Sequence, residues 1–322
     1  MKLIIGRDVK QPIRKQLLLS EIPVAKPKVT ANERLSMPIS SELRQRIQDI
    51  EDIPLLPDWP KDTRGAPNIC LRSALFGLIQ RGKRRAVKGE TIAAIKGLDI
   101  RYTGWQLDQG DFDVLVQALH LQKHSANITV NQYTQFKIKA FLSAIGRQPG
   151  KSGRDWLKDS FRRLTATAME VNIEIKHRYM TDSFSYVGSL IDEFYYSEHE
   201  QEYFLKINPK LASLFDAGWT QLQWQQRLRL KTDLAKWLHG FYASHREPFP
   251  MKVVTYRHIC GSSCGRLSDF RGKLCSALEE LLAAGILSFW EIDHEDKVQV
   301  QNPTKGGIAV AVRGHNSRNG WA

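Results

Sequence analysis

Between residues 267 and 281 apolar side chains recur at steps of three and four: Leu267, Phe270, Leu274, Leu278 and Leu281. That spacing places them on one face of a helix, which Gly285 then ends. Phe112, Leu115, Val116 and Leu119 mark a similar face in "DQGDFDVLVQALHLQKH", with Asp108 as its N-cap. "NQYTQFKIKAFLSAIG" reads as a second helix closed by Gly146. "SGRDWLKDSFRRLTATAMEV" reads as a third, with Ser152 as cap and Asp155 completing a capping box. Its inward side is Trp156, Phe161, Leu164 and Met169, and Arg154, Lys158, Arg162 and Arg163 fall mostly opposite. The period shortens to that of strands in "ETIAAIKGLDIRYTG", with a turn at Lys96-Gly97. Further β-rich runs are "EVNIEIKHRYM" and "SFSYVGSLIDEFYYSE", joined at Thr181-Asp182, and then "EYFLKIN".

Helix, helix, turn, helix, hairpin is the order of a winged helix, and it repeats. "LRLKTDLAKWLHGFYASH" is a long helix and "MKVVTYRHIC" holds a short one. The helix ending at Gly285 follows, then a hairpin of "ILSFWEID" and "KVQVQ" across His294-Glu295-Asp296. The expected fold class is α+β, with two tandem winged-helix domains at 66–206 and 207–302. Residues 1–65, with seven prolines and little amphipathic pattern, read as a partly disordered arm, and 303–322 as a flexible tail.

Charge narrows the partner. The 322 residues carry 47 Lys and Arg against 34 Asp and Glu, a formal +13. The excess is spread out: 12 basic against 9 acidic in 1–65, 20 against 15 in 66–206, and 15 against 10 in 207–322. A basic chain without an apolar run of 18 residues or a secretory leader points to a polyanion, most often nucleic acid, and to the cytoplasm.

Three stretches invite sharper chemistry. "IGRQPGKSG" has the Gly150-Lys151-Ser152 half of a phosphate-binding loop, but Ile145 stands where the first glycine belongs. It fits better as a helix-turn-helix turn, in which Lys151 and Arg154 meet a phosphate at a helix N-terminus. His258, Cys260, Cys264 and Cys275 could supply four zinc ligands, yet Cys275 stands alone beyond ten helical residues, beside the apolar stripe. Gly261-Ser262-Ser263 followed by Arg266, Arg271 and Lys273 is instead the turn and N-terminal part of a recognition helix. Asp111-Phe112-Asp113 opens a helix and compensates its dipole. No His-x-His pair or nucleophile constellation marks an enzyme, and no metal or cofactor is expected.

These landmarks occur in a familiar order: "PN…RSALF" (67–76), "IRYTGWQL" (100–107), "RRLTATAM" (162–169), "ASHREPFPMK" (243–252), "CGSS" (260–263) and "ALEELLAAGIL" (277–287). Over roughly 230 residues the chain resembles the TrfA-type plasmid replication initiators. The resemblance implies a non-enzymatic protein that binds directly repeated origin sites (iterons) in double-stranded DNA. It also implies promotion of origin opening, recruitment of the host initiator and replicative helicase, and a homodimer in equilibrium with a monomer in the bacterial cytoplasm, associated with plasmid or nucleoid. On this basis Ser262, Ser263, Arg266, Arg271 and Lys273 are expected to contact DNA from the second recognition helix. Lys151, Arg154, Lys158, Arg162 and Arg163 are expected to do so from the first. His245 and Arg246 in "SHREPFP", the loop cations Lys83, Arg84 and Arg85, and Lys297 in the wing would hold phosphates. The family's Gln-Leu-Ser-Leu-Phe clamp peptide is replaced here by "DIPLLPDWP", where Leu55, Leu56 and Trp59 are candidates to fill a sliding-clamp groove. Gln16-Leu17-Leu18-Leu19 and "LASLF" (211–215) are looser matches. The alternative reading is a winged-helix transcription regulator, an autorepressor with no replication role.

Overall fold

The computed structural model describes residues 56–124, 133–176, 181–197 and 202–303. Leu55, Gln16 to Leu19, most of the arm and the tail from 304 lie outside the described residues.

Strand β1 (Thr63–Pro67) is buried along its length and pairs antiparallel with β11 (Trp219–Gln223), Thr63 opposite Gln223 and Pro67 opposite Trp219. It thereby closes a unit that spans everything between. Gly65 is required there, because a Cβ would collide with the indole of Trp59. A single turn, α1 (Asn68–Leu71), and β2 (Phe76–Gly77) follow. Next come β3 (Ala86–Thr91), β4 (Leu98–Trp105), β5 (Leu107–Asp108) and α2 (Gln109–His124). Asp108 caps α2 as expected: its Oδ1 accepts the Asp111 N–H at 3.0 Å, and the Asp111 carboxylate accepts the Asp108 N–H at 3.1 Å.

Beyond α2 lie β6 (Thr134–Lys137), α3 (Ile138–Ala144), α4 (Lys151–Thr165), β7 (Ala168–Lys176), β8 (Thr181–Gly188), β9 (Ile191–Ser197) and β10 (Glu202–Ile207). Strands β3, β4, β7 and β8 form one sheet in that order, and β6, β10 and β9 another. A 3-10 turn (Pro209–Ala212) and α5 (Ser213–Asp216) lead to β11 and then α6 (Trp224–Arg229). The remainder is α7 (Asp233–Ala243), β12 (Met251–Lys252), α8 (Val253–Ile259), α9 (Leu267–Ala283) and the hairpin β13 (Phe289–Ile292) and β14 (Lys297–Gln301), with β14 central in a three-stranded sheet.

Two apolar clusters organise these elements. The first runs from Trp59 to Trp224, and the second from Leu230 to Val298. Residues 207–224 therefore pack with the first cluster, including Leu211, Leu214 and Phe215 of "LASLF". The α+β class holds, and the stripe Phe270, Leu274, Leu278 and Leu281 is buried as its spacing predicts, while Leu267 is only partly buried. None of the helices among the described residues is long and apolar enough to cross a membrane.

Several local expectations change. The helix expected over 131–146 is a strand and a short helix, because Thr134 and Phe136 alternate inward and pair with β10. Ser152 lies inside the first turn of α4, whose N-cap is Gly150 without a side-chain bond. The helix expected over 228–245 begins at Asp233, where Thr232 Oγ1 accepts the Ala235 N–H at 3.2 Å. Thr181 and Asp182 belong to β8, opposite Lys176 and Ile175, and the second β-rich run divides into β8 and β9.

Candidate nucleic-acid interface

The turn between α8 and α9 is seated through its backbone on residues 74–78. Leu78 N–H donates to the Cys260 carbonyl at 3.0 Å. Gly261 has φ +67°, and a Cβ there would come within 2.9 Å of the Ala74 Cβ. Both the conformation and the close approach demand glycine. Ser262 N–H donates to the Arg257 carbonyl at 3.1 Å, and Ser262 Oγ accepts the Cys264 N–H at 3.3 Å. Helix α9 then starts without a side-chain cap, so its first-turn N–H groups have no side-chain acceptor.

The exposed side of α9 is mostly short-chained in its first three turns, with Lys273 among them and Glu279 following. Arg266 is exposed at the cap, and Ser268, Asp269, Gly272, Lys273 and Ser276 are exposed along the helix. A Cβ at Gly272 would meet nothing. Arg271 is half-exposed and pairs with Asp296 of the wing. A cleft of about 680 Å³ beside the turn brings Arg85, Glu90 and Thr91 opposite Arg257, His258, Ser262 and Ser263. The sequence offers His258 only as a zinc candidate and does not single out Arg257, because the end of a short helix carries no periodic signal. Only the fold sets them against Arg85.

Helix α4 uses its cations differently. Arg163 reaches inward to the fully buried Asp111 at 2.6 Å. Arg154 and Lys158 line a cavity of about 220 Å³ with Tyr196 and Tyr203, and Lys158 Nζ sits 4.4 Å from the Tyr196 ring centroid. Lys151 and Asp155 line the same cavity while remaining exposed, and Arg162, also exposed, pairs with Asp159 at 2.7 Å.

Two carboxylates that open α2 prove to be hubs rather than helix-end compensation alone. Asp111 takes Arg163, Arg84 at 2.8 Å and Ser160 Oγ at 2.6 Å. Burial works to raise its pKa, but these partners more than offset that and hold the carboxyl below the usual range. Asp113 takes Lys236 and the fully buried Arg227, each at 2.6 Å, and Arg227 also donates to Gln109 Oε1 at 2.9 Å. This pairing crosses from α2 to α6 and α7, between the two clusters. Trp237 Nε1 also donates to the Ser73 carbonyl at 3.0 Å.

Other expected contacts lie elsewhere. Arg84 pairs with Asp108 and Asp111, and Arg85 makes a two-pronged pair with Glu90 at 2.6 Å, leaving Lys83 exposed in that loop. His245 is a poor phosphate ligand: burial lowers its pKa, and its Nδ1 bonds the Phe241 carbonyl at 2.7 Å. Arg246 beside it is exposed. Lys297 pairs with Glu295. Trp59 is 2% exposed, bonds His120 Nδ1 at 3.2 Å and stacks on Phe215, so it fills the protein's own core and no partner's groove. Leu56 packs on the same cluster. Cys260 is buried at the end of α8, and burial pushes its thiol up to about 12. Cys264 and Cys275 are half-buried. Among the described residues no group of three or more His, Cys, Asp or Glu is placed to hold a metal.

Comparison with known proteins gives this arrangement its relatives. The chain is 26% identical over 278 residues to the plasmid replication initiator protein TrfA of Escherichia coli, covering 81% of this chain and 70% of that one. Domains 2 and 3 of RctB superpose with a TM-score of 0.52 at 14% identity, covering 74% of this chain and 98% of that one, which shows a shared fold. The Pi initiator, solved in complex with iteron DNA, is similar over 62% of this chain and 92% of its own, at 15% identity and a TM-score of 0.45. A profile of the TrfA protein family matches residues 30–300, most of the chain, and the protein therefore belongs to the TrfA family.

Proposed function

We propose that this protein is a plasmid replication initiator. It binds repeated origin sites in double-stranded DNA and acts without catalysis of its own. Membership of the TrfA family carries the reading. The α9 surface supports it physically: an uncapped helix N-terminus and a short-chained face fit a helix inserted in the major groove. We further read the chain as two winged-helix domains built on the two apolar clusters. Arg266 and Lys273 approach base edges with Ser262 and Ser263 at the turn, and Lys83, Arg257 and Arg246 are available to phosphates. Origin opening, recruitment of the host initiator and helicase, a monomer-dimer equilibrium and a cytoplasmic location belong to the same proposal. On the first helix only Lys151 and Arg162 keep a solvent-facing position suited to DNA.

The test is replication in trans. A plasmid carrying the native origin without this gene should replicate only when the protein is supplied, and footprints should fall on direct repeats about two helical turns long. Footprints at a promoter with no replication support would leave a transcription regulator instead.

A further inference from the structure

The hairpin joining β13 to β14 reads Asp293-His294-Glu295-Asp296-Lys297, three carboxylates beside one amino group in a chain of formal charge +13. Its backbone is closely held. Asp293 Oδ1 accepts the N–H groups of Glu295 at 2.9 Å and Lys297 at 3.0 Å, and its Oδ2 accepts from Gln299 Nε2 at 3.0 Å. Asp296 N–H donates to the Asp293 carbonyl at 3.1 Å, and the Asp296 carbonyl accepts the N–H of Val253, the first residue of α8, at 2.9 Å. Asp296 has φ 60°, a left-handed conformation that Asp and Asn tolerate better than other side chains. Its backbone is thus held by the hairpin turn and by α8, and its carboxylate pairs with Arg271 on α9. Arg271, itself half-buried, flanks the exposed side of that helix, on which Gly272 lies.

A wing that only gripped phosphate would gain from a cation at this position. A fixed carboxylate there weakens attraction to any duplex, because the phosphate contribution is the same for all sequences. What it adds is geometry. A guanidinium has five N–H donors in a rigid fork, so a carboxylate on one side sets the direction of the others. We propose that Asp296 is a specificity-determining residue of the DNA interface. It holds Arg271 in one orientation beside the α9 surface and opposes duplexes bound through phosphate alone. This rests on the double-stranded DNA reading above.

The experiment uses the full chain and two duplexes of about 22 base pairs. One is enriched on the wild-type protein from a randomised pool, and the other is an unselected random duplex. Asp296→Asn keeps a residue suited to the left-handed backbone. It should tighten random-duplex binding about fivefold while changing the enriched duplex less than about twofold, so the discrimination ratio falls. Asp296→Gly, which enters the same backbone region freely, should move the ratio in the same direction. In an Arg271→Gln background, Asp296→Asn should still tighten the random duplex but leave the ratio unchanged. Equal factors on both duplexes, or an undiminished ratio loss without Arg271, would overturn the assignment while leaving DNA binding intact. A wild-type protein that binds neither duplex would refute the DNA reading itself, and this assignment with it.

Discussion

Helices α4 (Lys151–Thr165) and α9 (Leu267–Ala283) both follow a turn and both carry several cations, yet they spend them on different things. In α4 one arginine neutralises a buried carboxylate, one is paired along the helix, and Lys151, Arg154 and Lys158 line a cavity with Tyr196 of β9. In α9 Arg266 and Lys273 remain exposed beside small residues, and Arg271 alone is paired, across to the wing. Basic residues on a helix are thus open to an outside polyanion only when no carboxylate or aromatic ring of the same protein claims them.

The largest expected effect separates the two helices by stability. Arg163→Ala should cost about 3 kcal/mol in chemical denaturation, because the fully buried Asp111 loses its closest cation. Arg266→Ala should stay within about 0.5 kcal/mol of wild type. The same contrast has a pH signature. The lowered pKa of Asp111 means that its contribution is present above the unfolded carboxylate pKa and is lost as pH falls through the folded value. Arg163→Ala should therefore flatten the acid limb of the stability curve below about pH 4. An unchanged acid limb would remove Arg163 from the pair.

DNA discrimination should reverse the order. Arg266→Ala is expected to lose about 1–3 kcal/mol between enriched and random duplexes, as for a lost bidentate base contact. Arg162→Ala on α4, already paired with Asp159, should lose less than about 0.5 kcal/mol. Equal losses in a binding titration would erase the distinction between the helices.

Steric access offers a third comparison. A Cβ at Gly272 meets no atom within 4 Å, so Gly272→Leu should leave the melting temperature unchanged or raised, since glycine is a poor helix former. It should still weaken duplex binding about tenfold, or about 1.4 kcal/mol, if this face abuts the groove. Normal binding would move the interface off the α9 face. A small effect is also expected at Lys297, whose pairing with Glu295 leaves a contribution below about 0.5 kcal/mol, equal for all sequences.

Much of the second cluster was legible locally. The stripe of α9, the Gly285 end and the wing depend on residues within a few turns of each other, so periodicity and turn chemistry report them directly. The same logic places the N-cap at Asp108. It fails at β6, where pairing with β10 overrides a run that reads as helix, and at Ser152, where Gly150 takes the cap position.

By itself the sequence determined that the chain is basic throughout, mixed in secondary structure and ordered like the TrfA initiators, because composition and motif order survive without coordinates. Only the tertiary structure decided which charges are free. Arg163 meets Asp111 across 52 positions, Arg227 meets Asp113 across 114, and Trp59 meets His120 across 61. None of those separations leaves a trace in local spacing. A cation or an indole buried by such a partner is removed from the surface that any DNA duplex or clamp could touch.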